Sequence, residues 1–363
     1  VRVAANLESR RAHSESTLKF GISPSFPTSV KDVIEWLLER SQPAVRYQTL
    51  VDILDADSER EDVQEAHSRI PKAGWAAEIL RKQLPGIREG NALRYQGYWH
   101  NYVLLNRPKY VATLWKFLVL IDLGLTAKNT QVMKSCQLLS ERYLKREEDF
   151  HLCTTSNITR AFISAGFDED HRISRALDWI VSEQKEDGGW HCFGSPKGTL
   201  DCWEPLSVFA VLPRDRWNRG IKKSTERGAE FYLERKLYRE GARRYAPWFR
   251  LHYPIHYYYD MLVGLEALAS LGYGTDPRMK YALELLLKRR KPDGRWVLDA
   301  IHPDLPADLP KDEYSSSPPY EPFPSIPWGL EEVGKPSKMI TLRALRVLKR
   351  VEGLPNASRA IAV

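Results

Sequence analysis

Cysteine is scarce in this chain: there are four among 363 residues. That is too few to staple a domain of this size through disulfides. Long apolar runs are missing too. No stretch of about 18 apolar residues occurs, which excludes a hydropathic membrane-spanning helix. The first residues show no basic stretch followed by an apolar segment, the pattern of a secretory leader, so the expected compartment is the cytoplasm. Neither sign of charge is lacking: 54 Lys and Arg stand against 47 Asp and Glu, a net +7. The basic residues are dispersed, with no stripe and no nucleic-acid module, so no nucleic-acid partner is expected. The surplus suits an anionic ligand such as a diphosphate, or peripheral contact with an anionic membrane surface. A solvated surface that happens to be basic accounts for it more simply.

What the chain does have is repetition. Ala176 to Trp190 reads ALDWIVSEQKEDGGW, Ala282 to Trp296 reads ALELLLKRRKPDGRW, and Cys136 to Phe150 reads CQLLSERYLKREEDF. Each is an amphipathic helix, then a polar turn, then an aromatic residue. Ala229 to Leu237 and a segment from Ala77 begin the same pattern. Val30 to Leu38 makes a first copy. A second set of helices alternates with these and is apolar on most sides: Val45 to Leu54, Lys109 to Leu123, Thr155 to Ala165, Leu200 to Leu212, Tyr257 to Leu271 and Met339 to Leu348. A helix apolar all round is buried all round, whereas an amphipathic one is buried on one face. Six of each predict an inner and an outer ring, an all-α (α/α)6 toroid. The predicted toroid spans residues 29–352. It follows an N-terminal arm, 1–28, and precedes a C-terminal tail, 353–363. A proline-rich run, 304–336, reads as a strap across one mouth of the ring, since loops that long are uncommon unless functional or disordered.

The helix–DGGW pattern resembles the aromatic-rich repeats of squalene/hopene cyclases, other terpenoid cyclases and protein prenyltransferase β-subunits. It resembles most the bacterial and archaeal prenyltransferase/squalene-oxidase-repeat proteins whose substrates are unassigned. The likeness runs from about Val30 to Arg350. It implies the toroid fold and an enzyme, a cyclase, transferase or lyase, acting on an apolar or isoprenoid substrate in the central cavity. Two departures limit what carries over. The Asp-x-Asp-Asp acid motif of class II cyclases has only Asp55-Ala56-Asp57-Ser58 to match it, in a charged loop. The zinc motif of prenyltransferases needs an Asp and a Cys two residues apart, whereas Asp201 and Cys202 are adjacent.

In a ring of parallel inner helices, residues near one set of ends share a rim. Cys153, Cys192 and Cys202 fall near the starts of the third and fourth inner helices. With His256 as the fourth ligand, and His191 or His252 behind it, they would suit zinc. Three cysteines packed as small apolar groups explain the placement as well. Cys136, on an outer helix, reads as packing. Lanthipeptide cyclases, a second toroid family with a zinc site, carry Trp-Cys-Tyr-Gly, and Trp190-His191-Cys192-Phe193-Gly194 is similar to it with one residue inserted. That resemblance implies zinc-activated thiol chemistry.

Trp115, Trp203 and Tyr257 are expected to line the substrate cavity, with Arg160 and Arg343 placed to meet an anionic head group. Aromatic faces there would stabilise a cation, although plain packing suits them too. Asp201 and Asp260, on helices expected to be buried, are the expected general acids, since burial raises a carboxyl pKa; Asp260 could equally pair with Arg250 or Arg160. Tyr258 and His256 complete the expected catalytic set. The alternative to an enzyme is a protein that holds a hydrophobic or peptide ligand without turnover.

Overall fold

The computed structural model describes residues 29–90, 92–106, 111–241, 245–255, 258–301 and 329–352. The N-terminal arm, most of the strap and the C-terminal tail lie outside the described residues. The outer helices are α1 (Ser29–Leu37), α4 (Gly74–Arg81), α6 (Thr130–Tyr143), α8 (His171–Ser182), α10 (Arg219–Glu234) and α12 (Lys280–Lys288). The inner helices are α2 (Pro43–Gln48, continued by a wider turn over Thr49–Ile53), α5 (Thr113–Asp122), α7 (Leu152–Ala165), α9 (Glu204–Val211), α11 (Met261–Leu271) and α13 (Lys338–Glu352). A short helix α3 (Glu61–Arg69) packs on α2, and a hairpin of β1 (Ile87–Glu89) and β2 (Ala92–Arg94) follows α4.

The two helix types behave as the pattern predicts. On α8 the buried residues are Ile173, Ala176, Leu177 and Ile180, one stripe at helical spacing. On α5 every residue from Thr113 to Ile121 is buried. Outer helices α8 and α12 start on capping aspartates, Asp170 accepting from the Arg172 N–H and Asp276 from the Arg278 N–H, and α6 and α10 start on Asn129 and Asn218. Inner helices α7 and α11 stop at Gly166 and Gly272, whose φ of 97° and 94° favour glycine.

The recurring tryptophans tie each turn to the preceding outer helix. Trp99 Nε1 donates to Ile79 O at 2.7 Å, Trp190 Nε1 to Ile180 O at 3.0 Å, and Trp296 Nε1 to Leu286 O at 2.8 Å. Each indole fills the core while satisfying a carbonyl near a helix C-terminus, where intrahelical partners run out.

Inner helices pack in order from α5 through α7, α9 and α11 to α13, and α13 packs on α2 and the turn that continues it. Gln48 closes the ring: its Nε2 donates to Asp122 O on α5 at 2.7 Å, and its Oε1 accepts from Arg346 Nη2 on α13 at 2.9 Å. Arg346 Nε also donates to Asp52 Oδ2 at 2.8 Å, and Lys349 Nζ to Asp52 O at 2.9 Å. The protein is therefore an all-α toroid. Among the described residues no helix is long and apolar enough to cross a membrane.

Candidate functional site

A cavity of about 230 Å³ lies among the inner helices. Asp52, Asp122, Val211, Ser270 and Arg350, all at or near inner-helix C-termini, line it together. The inner helices therefore share one direction. Its walls mix charge with apolar surface. Arg160 pairs with Asp122 at 3.1 Å, and Arg343 Nε with Glu266 Oε2 at 2.7 Å. Arg346 pairs with Asp52. Arg350 is exposed, and it leaves the wall with one more cation than anions. Trp203, Ile255, Val263 and Met339 supply apolar wall.

Three of the lining residues carry buried polar atoms with no hydrogen-bond partner among the described residues: Arg160 Nε, Arg343 Nη2 and Tyr253 Oη. A buried donor left unmade costs about 1–3 kcal/mol.

A second polar cluster leads away from this cavity. Cys153, Asn157 and Arg160 follow one another at i, i+4 and i+7 on α7, along one face. On α9, Glu204 precedes the cavity-lining Ser207 by three residues. Glu204 is 1 % exposed, and its Oε2 has no partner among the described residues. Burial holds its carboxyl well above the ordinary value; Cys153 adds to the rise and Arg160 opposes it. Both amide atoms of the fully buried Asn157 also lack partners among the described residues.

The three cysteines meet as expected. Cys202 Sγ donates to Cys192 Sγ at 3.2 Å, and the Cys192 N–H donates to Cys202 Sγ at 3.2 Å. Cys153 is hydrogen-bonded to Cys192, both as free thiols; that contact, then burial, pushes its thiol up. For Cys192 the Cys153 contact pulls down, but Cys202 and burial outweigh it. Among the described residues no group of three or more His, Cys, Asp and Glu side chains is disposed to hold a metal ion. The Cys192 and Cys202 sulfurs stand 3.2 Å apart, closer than the separation of about 3.7 Å set by tetrahedral Zn–S bonds of about 2.3 Å. His256 and Tyr257 lie outside the described residues. His191 is half-buried, and its Nδ1 accepts from the Phe193 N–H. Cys136 is buried on α6, where desolvation pushes it up to about 12.

Several expected roles change. Asp260 is not a raised acid. Burial pushes its carboxyl up, but His252, Arg343 and the Val263 N–H outweigh this and hold it below the ordinary value. It is the N-cap of α11 and the partner of His252, rather than of Arg250 or Arg160. His252 donates from Nδ1 to Asp260 at 2.7 Å and from Nε2 to Ile255 O at 3.0 Å, which leaves no ring nitrogen for a metal. Asp201 precedes α9 rather than sitting on it, and accepts from Trp248 Nε1 at 2.6 Å. Trp115 is fully buried, donates to Asn106 O at 3.0 Å, and is not among the cavity-lining residues. Tyr258 is half-buried with its ring 6.4 Å from that of His252. Trp203 and Arg160 do line the cavity, with the guanidinium 5.8 Å from the indole centroid. Glu204, Asn157, Tyr253 and Glu266 were missed. For Glu204 the available signal was an acid inside the apolar run LDCWEPLSVFAVL.

No family model matches the chain, and no curated protein does. Among solved structures, it is similar to a variant of the type II terpene cyclase MstE from Scytonema in complex with geranylgeranyl dihydroxybenzoate. The TM-score is 0.43 with 15% identity, over 91% of this chain and 97% of that one. The apo form of MstE matches with a TM-score of 0.43 and 15% identity, over 89% and 97% of the two chains. A protein from Actinoplanes matches with a TM-score of 0.42 and 12% identity, over 89% and 98%. Likeness this distant carries no statement about substrate or reaction.

Proposed function

We propose that the protein is an enzyme that takes a small amphiphile, an anionic head on an apolar body, into the ring centre. The observation that carries this reading is the wall of one cavity, where Arg160, Arg343, Arg346 and Arg350 stand against Asp52, Asp122 and Glu266. The surplus arginine favours an anion, and the Trp203–Ile255–Met339 wall favours an apolar body. A short prenyl diphosphate has this chemistry. The cavity volume of about 230 Å³ falls below the roughly 300–1,000 Å³ of common ligand pockets, which favours a short chain over a long one. Glu204, whose carboxyl burial holds well above the ordinary value against the pull of Arg160, is the proton donor of this reading; Ser207, on the cavity wall, would orient the reacting group.

Calorimetric titration with inorganic diphosphate and with dimethylallyl diphosphate tests it. Both are expected to bind, the second more tightly. Arg160→Met with Tyr253→Phe should weaken binding about tenfold or more, the loss of one or two charge-assisted bonds. Undetectable binding of either compound to the folded protein would overturn the reading. Binding of octanoate but not of the diphosphates would instead favour a carrier of fatty carboxylates.

A further inference from the structure

The loop from Trp190 to the start of α9 folds back so that the Cys192 and Cys202 sulfurs stand 3.2 Å apart. The Cys192 N–H also points at Cys202 Sγ, at 3.2 Å. Cys153, on α7, is hydrogen-bonded to Cys192. All three are free thiols. Cys202 is buried, whereas Cys192 is half-buried on a loop whose Phe193 is 91 % exposed. Packing accounts for each cysteine singly, but it gives no reason for three sulfurs to meet.

We propose that this trio is a reversible oxidation site, in which a peroxide converts Cys192 and Cys202 into a disulfide. Contact with Cys192, then burial, pushes the Cys153 thiol up. For Cys192 the pull of Cys153 is outweighed by Cys202 and burial. Both therefore hold their protons, and Cys202 is the attacking sulfur. The Cys192 N–H aimed at it stabilises negative charge that develops there.

The step balances with one peroxide as the oxidant. Cys202 Sγ attacks one peroxide oxygen and the O–O bond breaks. The departing hydroxide takes the Cys202 proton and leaves as water. Cys192 Sγ then attacks the sulfenic sulfur. The S–S bond forms, the S–O bond breaks, and the second hydroxide takes the Cys192 proton. Two thiols lose two electrons, and the peroxide gains them. The sulfurs close from 3.2 Å to about 2.05 Å. Because they already touch, the second step is intramolecular, and it outruns further oxidation of the sulfenic acid. A thiol reductant reverses the bond. This site is separate from the ring-centre cavity and does not depend on the reading given for it.

Hydrogen peroxide added to the folded full chain at neutral pH, followed by alkylation in denaturant and a non-reducing tryptic map, tests the proposal. Trypsin cuts after Lys197, so the Cys192 and Cys202 peptides stay together only through a disulfide. They are expected as one linked species that dithiothreitol parts, with Cys136 recovered as a thiol. Cys202→Ser removes the attacking sulfur, so it should slow loss of the Cys192 thiol about tenfold or more. Cys153→Ser leaves both partners in place and should leave the linkage intact. Serine differs from cysteine by one atom, so both variants should fold. Cys192 and Cys202 recovered unlinked from peroxide-treated folded wild-type protein, as thiols or as sulfinic acids, overturn the proposal. Loss of the linkage in folded Cys153→Ser overturns it as well.

Discussion

His252 Nδ1 donates to Asp260 Oδ2 across 2.7 Å, with neither side chain exposed to solvent. The same carboxylate accepts the His252 and Val263 backbone N–H groups, so it caps α11 while pairing with the imidazole. Asp260→Asn removes a buried ion-pair partner, a loss of about 3–5 kcal/mol. The pH dependence has a definite sign. The folded carboxyl lies below its unfolded value of about 3.9, so its stabilisation is complete above that value and is lost as pH falls through the depressed one. Denaturant melts between pH 2 and pH 6 should show the wild-type protein losing this advantage over Asp260→Asn at the acid end. A difference that does not change with pH would contradict the pairing.

Glu204 has the opposite linkage. Its folded value is raised, so the folded state holds a proton that the unfolded chain releases above about 4.3. Stability falls as pH rises from there until the raised value is reached. Glu204→Gln keeps the shape and removes the titration. It should therefore gain on the wild type by about 1.4 kcal/mol per pH unit across that window. If Glu204 donates the proton in catalysis, the same variant loses turnover while gaining stability. Equal thermal shifts at pH 5 and pH 8 would show that Glu204 is not buried as an acid.

Gly228 lies on α10 against the Trp190 indole, where an added Cβ would stand 2.8 Å from two ring carbons. Alanine in a helix interior normally stabilises by about 1 kcal/mol relative to glycine. Here the clash reverses the sign, and Gly228→Ala should destabilise by about 1–3 kcal/mol. Trp190→Phe should cost about 1–3 kcal/mol, since it leaves the Ile180 carbonyl unmade. Thermal unfolding of both variants checks this pair of values, and a stabilised Gly228→Ala would refute the packing.

The thiol cluster makes a spectroscopic prediction. Raised values on Cys153 and Cys192 leave little thiolate at pH 8. Alkylation by iodoacetamide should be slow for both until the protein is denatured. Titration with Co²⁺ should give no thiolate charge-transfer band. A stoichiometric band, lost in Cys153→Ser, would restore the zinc site that the spacing suggested.

The ring was legible because its cause is periodic. The stripe Ile173, Ala176, Leu177 and Ile180 against the unbroken burial of Thr113 to Ile121 is a pattern a sequence displays directly. The meeting of Cys153, Cys192 and Cys202 followed from the same logic, since helix starts in a parallel ring are neighbours. What did not follow was the state of single charged groups. Asp260 and Glu204 are both acids at the starts of inner helices, yet one meets His252, while for the other burial outweighs the pull of Arg160 and Oε2 has no hydrogen-bond partner among the described residues. Pairing across the ring decides such cases, and periodicity does not encode it.

The Gln48 amide joins segments separated by nearly the whole chain, since Asp122 lies 74 residues away and Arg346 lies 298. Contacts of such sequence separation carry a high loop-closure cost and form slowly. An open helical array can grow from any repeat outward, but a closed one gains its final interface only when the two chain ends arrive together. The seam held by Gln48, Asp52 and Arg346 is therefore where refolding should stall, and substitutions there should slow folding more than those at any other junction of the ring.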